Sequence, residues 1–131
     1  MSPLTASALV MAGGFGGGVT RFFLSGVVAN RFGETFPWGT LVVNVSGCLL
    51  IGLLAGLARS VGGVLAEEWF THLLLTGFCG GYTTVSSFSV QTLYLALDGG
   101  NRLAVLNVAG SVVLCLAAVA IGFVAATGAG G

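Results

Sequence analysis

The chain contains no lysine, and its four arginines stand against four acidic residues, so charged side chains make up 6% of its 131 residues. Soluble domains carry about 25% charged residues. A chain this poor in charge cannot present water-facing surface on every side, which excludes an ordinary soluble domain. With a formal net charge of +0 and no basic tail, nothing in the composition recruits nucleic acid. No Asp or Glu falls inside a long apolar segment, whereas proton-coupled export of organic cations needs such a carboxylate. No Gly-x-Ser-x-Gly turn occurs, and the single histidine, His72, stands near no candidate serine, so a hydrolase or other enzyme is not expected. The three cysteines, Cys48, Cys79 and Cys115, form no Cys-x-x-Cys pair and read as small packing residues.

What is present is apolar length. Hydrophobic residues make up 56% of the chain, and a helix needs roughly 20 of them to cross about 30 Å of hydrocarbon. The gaps between charges predict an all-α membrane protein, one domain over residues 1–131, with four transmembrane helices near residues 4–29, 38–58, 69–97 and 103–126. The first residues, MSPLTAS, lack a basic leader, so the first segment reads as a retained span. Trp38, Trp69 and Tyr94 fall near span ends, where amphipathic rings favour the interface. Asn44-Val45-Ser46 spells a glycosylation triplet but lies mid-span, where it means nothing as an acceptor.

Orientation is nearly undetermined. In a four-span chain Arg59 lies on one side of the membrane and Arg31 and Arg102 on the other, almost no bias under the positive-inside rule. A chain so balanced is expected to insert both ways and to pair with an inverted copy of itself. Glycines four apart recur at Gly13/Gly17, Gly14/Gly18, Gly52/Gly56 and Gly77/Gly81, which predicts close helix contacts.

Polar residues inside the spans localise the function. Residues 77–91 read GFCGGYTTVSSFSVQ within a stretch free of charge between Glu68 and Asp98. Glycine-broken, hydroxyl-rich backbone at membrane depth is tolerated only against protein or a wet pathway. Gly80-Gly81 is expected to break the third helix and free carbonyl oxygens that can hold a cation such as sodium. Beyond the break, Thr84, Ser87, Phe88 and Gln91 share one helical face, with Thr83 and Ser86 beside it. Hydroxyl protons and positive ring edges suit a small anion better than a cation. Back-bonding to the preceding turn would explain one or two of these hydroxyls, but not all five of Thr83, Thr84, Ser86, Ser87 and Ser89. Arg21, near the end of the first span, either snorkels to the interface or forms an electropositive mouth. Asn44 either ties helices together or offers a donor to an anion. Asn107 and Ser111 share a face of the fourth span. His72 has no metal-type ligand beside it in sequence and reads as structural or exposed.

Four segments, GGFGGGVTRF at Gly13–Phe22, PWGTLVVNVSGCLLIG at Pro37–Gly52, TGFCGGYTTVSSFS at Thr76–Ser89 and the Asn107/Ser111 pair, give the chain its resemblance to the CrcB/Fluc fluoride channel family. The resemblance implies an antiparallel, dual-topology homodimer in the bacterial plasma membrane. It implies two pores that let fluoride out passively, lined by residues of both subunits. Carried over by position, Asn44, Thr84, Val85, Ser87, Phe88 and Ser111 line the ion pathway, with Arg21 at its mouth. A structural sodium ion would be held at the dimer centre by the backbone carbonyls of Gly80 and Thr83.

Two residues depart from the family pattern. Val85 stands where the first of two phenylalanines is usual, and Gln91 stands where a glutamate is common. A branched aliphatic chain has no positive edge to offer an anion. Two other readings therefore stand beside the fluoride channel. The chain could be a non-conducting or weakened partner in a heterodimeric fluoride channel. It could be a small dual-topology multidrug transporter, against which the missing membrane carboxylate counts.

Overall fold

The computed structural model describes residues 1–130, with side chains through residue 128, and the described residues are helical apart from short connections. Helix α1 spans Pro3–Phe32. Ser2 starts it by accepting the Thr5 N–H on its hydroxyl at 3.1 Å, and Pro3 opens the first turn, where its missing N–H costs nothing. Helix α2 spans Trp38–Ser60 and is followed by a 3-10 turn, Gly63–Ala66.

The third pass is broken in two. Its first part, α3, is a continuous rod over residues 68–82 with a π-helical centre at Thr71–Cys79. Its second part, α4, is Ser86–Leu97. A turn at Gly99, whose φ of 82° suits glycine, leads into α5, Asn101–Gly130. Three helices, α1, α2 and α5, are long and apolar enough to cross a membrane.

The break is not at Gly80-Gly81. Gly80 keeps helical torsions, φ −63° and ψ −39°, and the helix runs on through Tyr82. It is Thr83 that turns extended, with φ −78° and ψ 159°. Glycine permits a break but does not force one, and here neighbouring helices decide where the ladder stops.

Glycine's work lies instead in two helix crossings. A β-carbon on Gly13 would meet backbone atoms of Leu73, Gly77 and Phe78, and one on Gly17 would meet those of Phe78 and Tyr82. Gly77 and Gly81 answer from α3, against Val10 and Gly14. As α1 advances so does α3, and the two run parallel. The second crossing repeats the device: Gly52 seats against Val119 and Phe123, and Gly56 against Phe123 and Ala126, so α2 and α5 also run parallel. Close backbone approach of this kind gains van der Waals contact, which is what drives helix association in lipid. Of the four glycine pairs, Gly14/Gly18 is used only in part, because Gly18 meets nothing within 4 Å.

Apolar bulk lies on the outside. Phe15, Phe22, Phe23, Val85 and Leu116 are all well exposed, whereas the buried residues are mostly small ones such as Val43, Cys79, Ala104 and Ala118. That distribution suits hydrocarbon as the solvent.

Candidate functional site: the broken third pass

Residues 83–85 join α3 to α4 and are held from α2. Asn44 grips Thr84 by both backbone groups: its Nδ2 donates to the Thr84 carbonyl at 2.8 Å, and the Thr84 N–H donates to its Oδ1 at 2.7 Å. Two residues along, the Ser46 and Tyr82 hydroxyls share a hydrogen bond of 2.8 Å, with Tyr82 itself buried. Gly47 completes the cradle, since a β-carbon there would meet the Thr83 methyl and the Tyr82 ring. Asn44, Ser46 and Gly47 thus form a seat for an irregular segment whose backbone has left the helical ladder. Asn44 as a tie between elements is what the structure displays.

The hydroxyl cluster divides in two. Thr83 bonds back to the Cys79 carbonyl at 3.0 Å. Thr84 is buried and caps α4, its Oγ1 accepting the Ser87 N–H at 3.1 Å and lying 3.2 Å from the Ser86 hydroxyl. It stands before α4 and not on its face, so the expected stripe of Thr84, Ser87, Phe88 and Gln91 begins at Ser87. The hydroxyls of Ser87 and Ser89 make no hydrogen bond among the described residues. Gln91 holds a buried Oε1 that likewise has no partner among them.

A cavity of about 1030 Å³ opens beside the break, and Arg21, Thr40, Thr84, Ser87 and Gln91 are all on its wall. Glu34 and Asp98 also line it, yet Arg21 forms no ion pair among the described residues. The guanidinium therefore keeps its charge uncompensated by any carboxylate in direct contact, a geometry that attracts anions. Arg21, Thr84 and Ser87 are thus brought together. Asn44 sits behind the break, not on this wall. Val85 is 76% exposed and points away from the chain's own core, and Phe88 is half-buried outside the cavity. Ser111 is buried on α5 beside Asn107, whose Nδ2 donates to Thr92 Oγ1 at 2.8 Å and so ties α5 to α4.

Among the described residues, the carbonyls of Gly80 and Thr83 accept no hydrogen bond. The Thr84 N–H, which an unbroken helix would send to Gly80, goes to Asn44 instead. Two unpaired carbonyl oxygens flanking a helix break fit a hard cation. His72 lies 3.9 Å from Glu68, whose other oxygen faces the N-terminal amine at 3.8 Å, and no cluster able to hold a metal through side chains occurs among the described residues.

Sequence reasoning missed Tyr82, Gly47 and Thr92. Tyr82 carried a readable signal, a phenol inside an apolar span, because a buried phenol hydroxyl seeks a partner. Gly47 and Thr92 carried none, since their roles arise only where elements meet.

Helices that cross by glycine contacts, apolar bulk on the outside and a polar break beside a cavity lined by Arg21 define a small multi-pass membrane protein with its polar groups gathered at one interrupted helix. Residues 8–123 match the family described as CrcB-like protein, Camphor Resistance (CrcB), and the chain belongs to that family. It is 55% identical over 118 residues to the fluoride-specific ion channel FluC 4 of Brucella abortus biovar 1, covering 90% of this chain and 89% of that one. It is 51% identical over 128 residues to the fluoride-specific ion channel FluC 2 of Bradyrhizobium diazoefficiens, covering 98% and 93%. It is 53% identical over 119 residues to the fluoride-specific ion channel FluC of Opitutus terrae, covering 91% and 90%.

Proposed function

We propose that this protein is a fluoride-selective channel that lets the anion out of the cell passively, as an antiparallel homodimer of dual topology with two pores. The observation that carries the reading is the near full-length match to relatives named fluoride-specific ion channels. The site supports it. Arg21 raises the local concentration of anions in the cavity through its uncompensated charge. The free hydroxyls of Ser87 and Ser89 offer protons to an anion stripped of water. Asn44 retains one Nδ2 proton beyond the one given to Thr84. The Phe88 ring contributes a positive edge, and Ser111 a buried hydroxyl from α5. Val85, so exposed on one chain, would meet the second copy, and the near-even arginine distribution favours an inverted pairing.

The carbonyls of Gly80 and Thr83 would hold sodium, which would supply fixed positive charge beside the break. The chain's own part is to keep those oxygens out of the helical ladder. Purified protein in liposomes, followed with a fluoride electrode and with chloride as control, is expected to release fluoride and retain chloride. A trace that stays flat until ionophore is added would overturn the reading. It would favour the second one, a non-conducting partner subunit, which the missing ring at Val85 supports.

A further inference from the structure

We infer that Asn44 is a positioning residue for the cation site, acting by substitution in the helical ladder. In a regular helix the Thr84 N–H would close on the Gly80 carbonyl. Here the N–H is 2.7 Å from Asn44 Oδ1, and the Gly80 carbonyl is left without a partner among the described residues. Asn44 holds the other side of the same residue as well, its Nδ2 on the Thr84 carbonyl at 2.8 Å. It thereby replaces both helical neighbours of Thr84 with one amide.

The energetic logic favours this in a membrane. With no water to satisfy a freed N–H, an interrupted helix must find another acceptor or close again. Asn44 is that acceptor. Remove it, and the cheapest acceptor for the Thr84 N–H is the carbonyl it would have used in an unbroken helix, that of Gly80. The oxygen that a cation would use is then occupied by an internal hydrogen bond. Gly80 has helical torsions already, so re-closing needs the chain to change course only from Thr83 onward. Asn44 thus sets whether a carbonyl more than a turn away from its own contact is available. The inference rests on the reading of Gly80 and Thr83 as cation ligands.

The test separates the two. Detergent-purified full-length protein is melted across a sodium chloride titration, with N-methylglucamine chloride holding ionic strength constant. The half-saturating sodium concentration is read from the rise in Tm. Wild type is expected to respond to sodium; a silent wild type overturns the cation reading itself. Asn44→Leu keeps the shape and removes the acceptor, and its half-saturating concentration is expected to rise about tenfold or more, which corresponds to about 1.4 kcal/mol. Asn44→Asp keeps an oxygen for the Thr84 N–H but loses the donor to the Thr84 carbonyl, and is expected to respond to sodium more weakly than wild type and more strongly than Asn44→Leu. Ser46→Ala, which loosens the same cradle through Tyr82 without touching Thr84, is expected to stay within about threefold of wild type. A responsive wild type with Asn44→Leu unchanged, or with Ser46→Ala weakened equally, overturns the role of Asn44 and leaves the cation reading intact. If Asn44→Leu does not fold, Asn44→Ala is read by the same criteria, and an Asn44→Asp response no stronger than that of the apolar variant overturns the role.

Discussion

The amide of Asn44 commits its oxygen and one proton to the Thr84 peptide, and one Nδ2 proton remains. A side chain that braces backbone on one edge can still face an ion with the other. Val85 presents the opposite case: exposed at the break, it makes no polar contact and supplies no ring edge. Val85→Phe is accordingly expected to leave fluoride efflux from liposomes unchanged or faster, and a slower rate would contradict the ring-edge argument. Asn107 is 2% exposed and donates to Thr92, which in turn bonds the Phe88 carbonyl at 2.7 Å. Asn107→Ala should lower stability by about 0.6–1.7 kcal/mol, the range for hydrogen bonds between membrane helices, as read from thermal melts in detergent. Residue types were legible beforehand, because an amide or hydroxyl in an apolar span advertises itself. Their partners were not: whether Asn44 faced an ion, a helix or a peptide depended on where α3 stopped.

At the scale of elements, the two glycine crossings make the steepest predictions. Gly17→Ala places a methyl against the Phe78 carbonyl and Tyr82 N–H, and Gly52→Ala places one against Val119. Each is expected to destabilise by about 1–3 kcal/mol, the cost of overpacking, and to lower the yield of folded protein on size exclusion. Gly26→Ala, on the same helix as Gly17 but with nothing within 4 Å, should cost nothing by the same measurement. Spacing of four predicted close contacts, and the contacts exist, but spacing alone did not say which helix met which. The break teaches the same lesson. A glycine pair marked the right pass, yet the helix ran through it and opened at Thr83, because Asn44 of α2 takes the Thr84 N–H there. Glycine's weak helix preference is worth about 1 kcal/mol, less than the packing and hydrogen bonds that neighbouring elements bring.

For the whole molecule the near-absence of charge is the governing fact. With Arg59 on one side and Arg31 and Arg102 on the other, single-cysteine variants Thr35→Cys and Val61→Cys, made without Cys48, Cys79 and Cys115, should each label in part from outside intact cells. Complete protection of either site would mean one orientation and would exclude the inverted dimer. What the sequence by itself determined follows from composition and period: a membrane solvent, the helical passes, tight glycine contacts and the pass that carries the polar chemistry. Hydrophobicity and spacing are local quantities, and they survive without coordinates. What only the tertiary structure decided is where the ladder breaks, which helices run side by side, and that Arg21, Thr40, Ser87 and Gln91 share one cavity while Asn44 works from behind. Those are outcomes of competition between distant groups for the same backbone donors and the same space, and such competition is settled only when the helices meet.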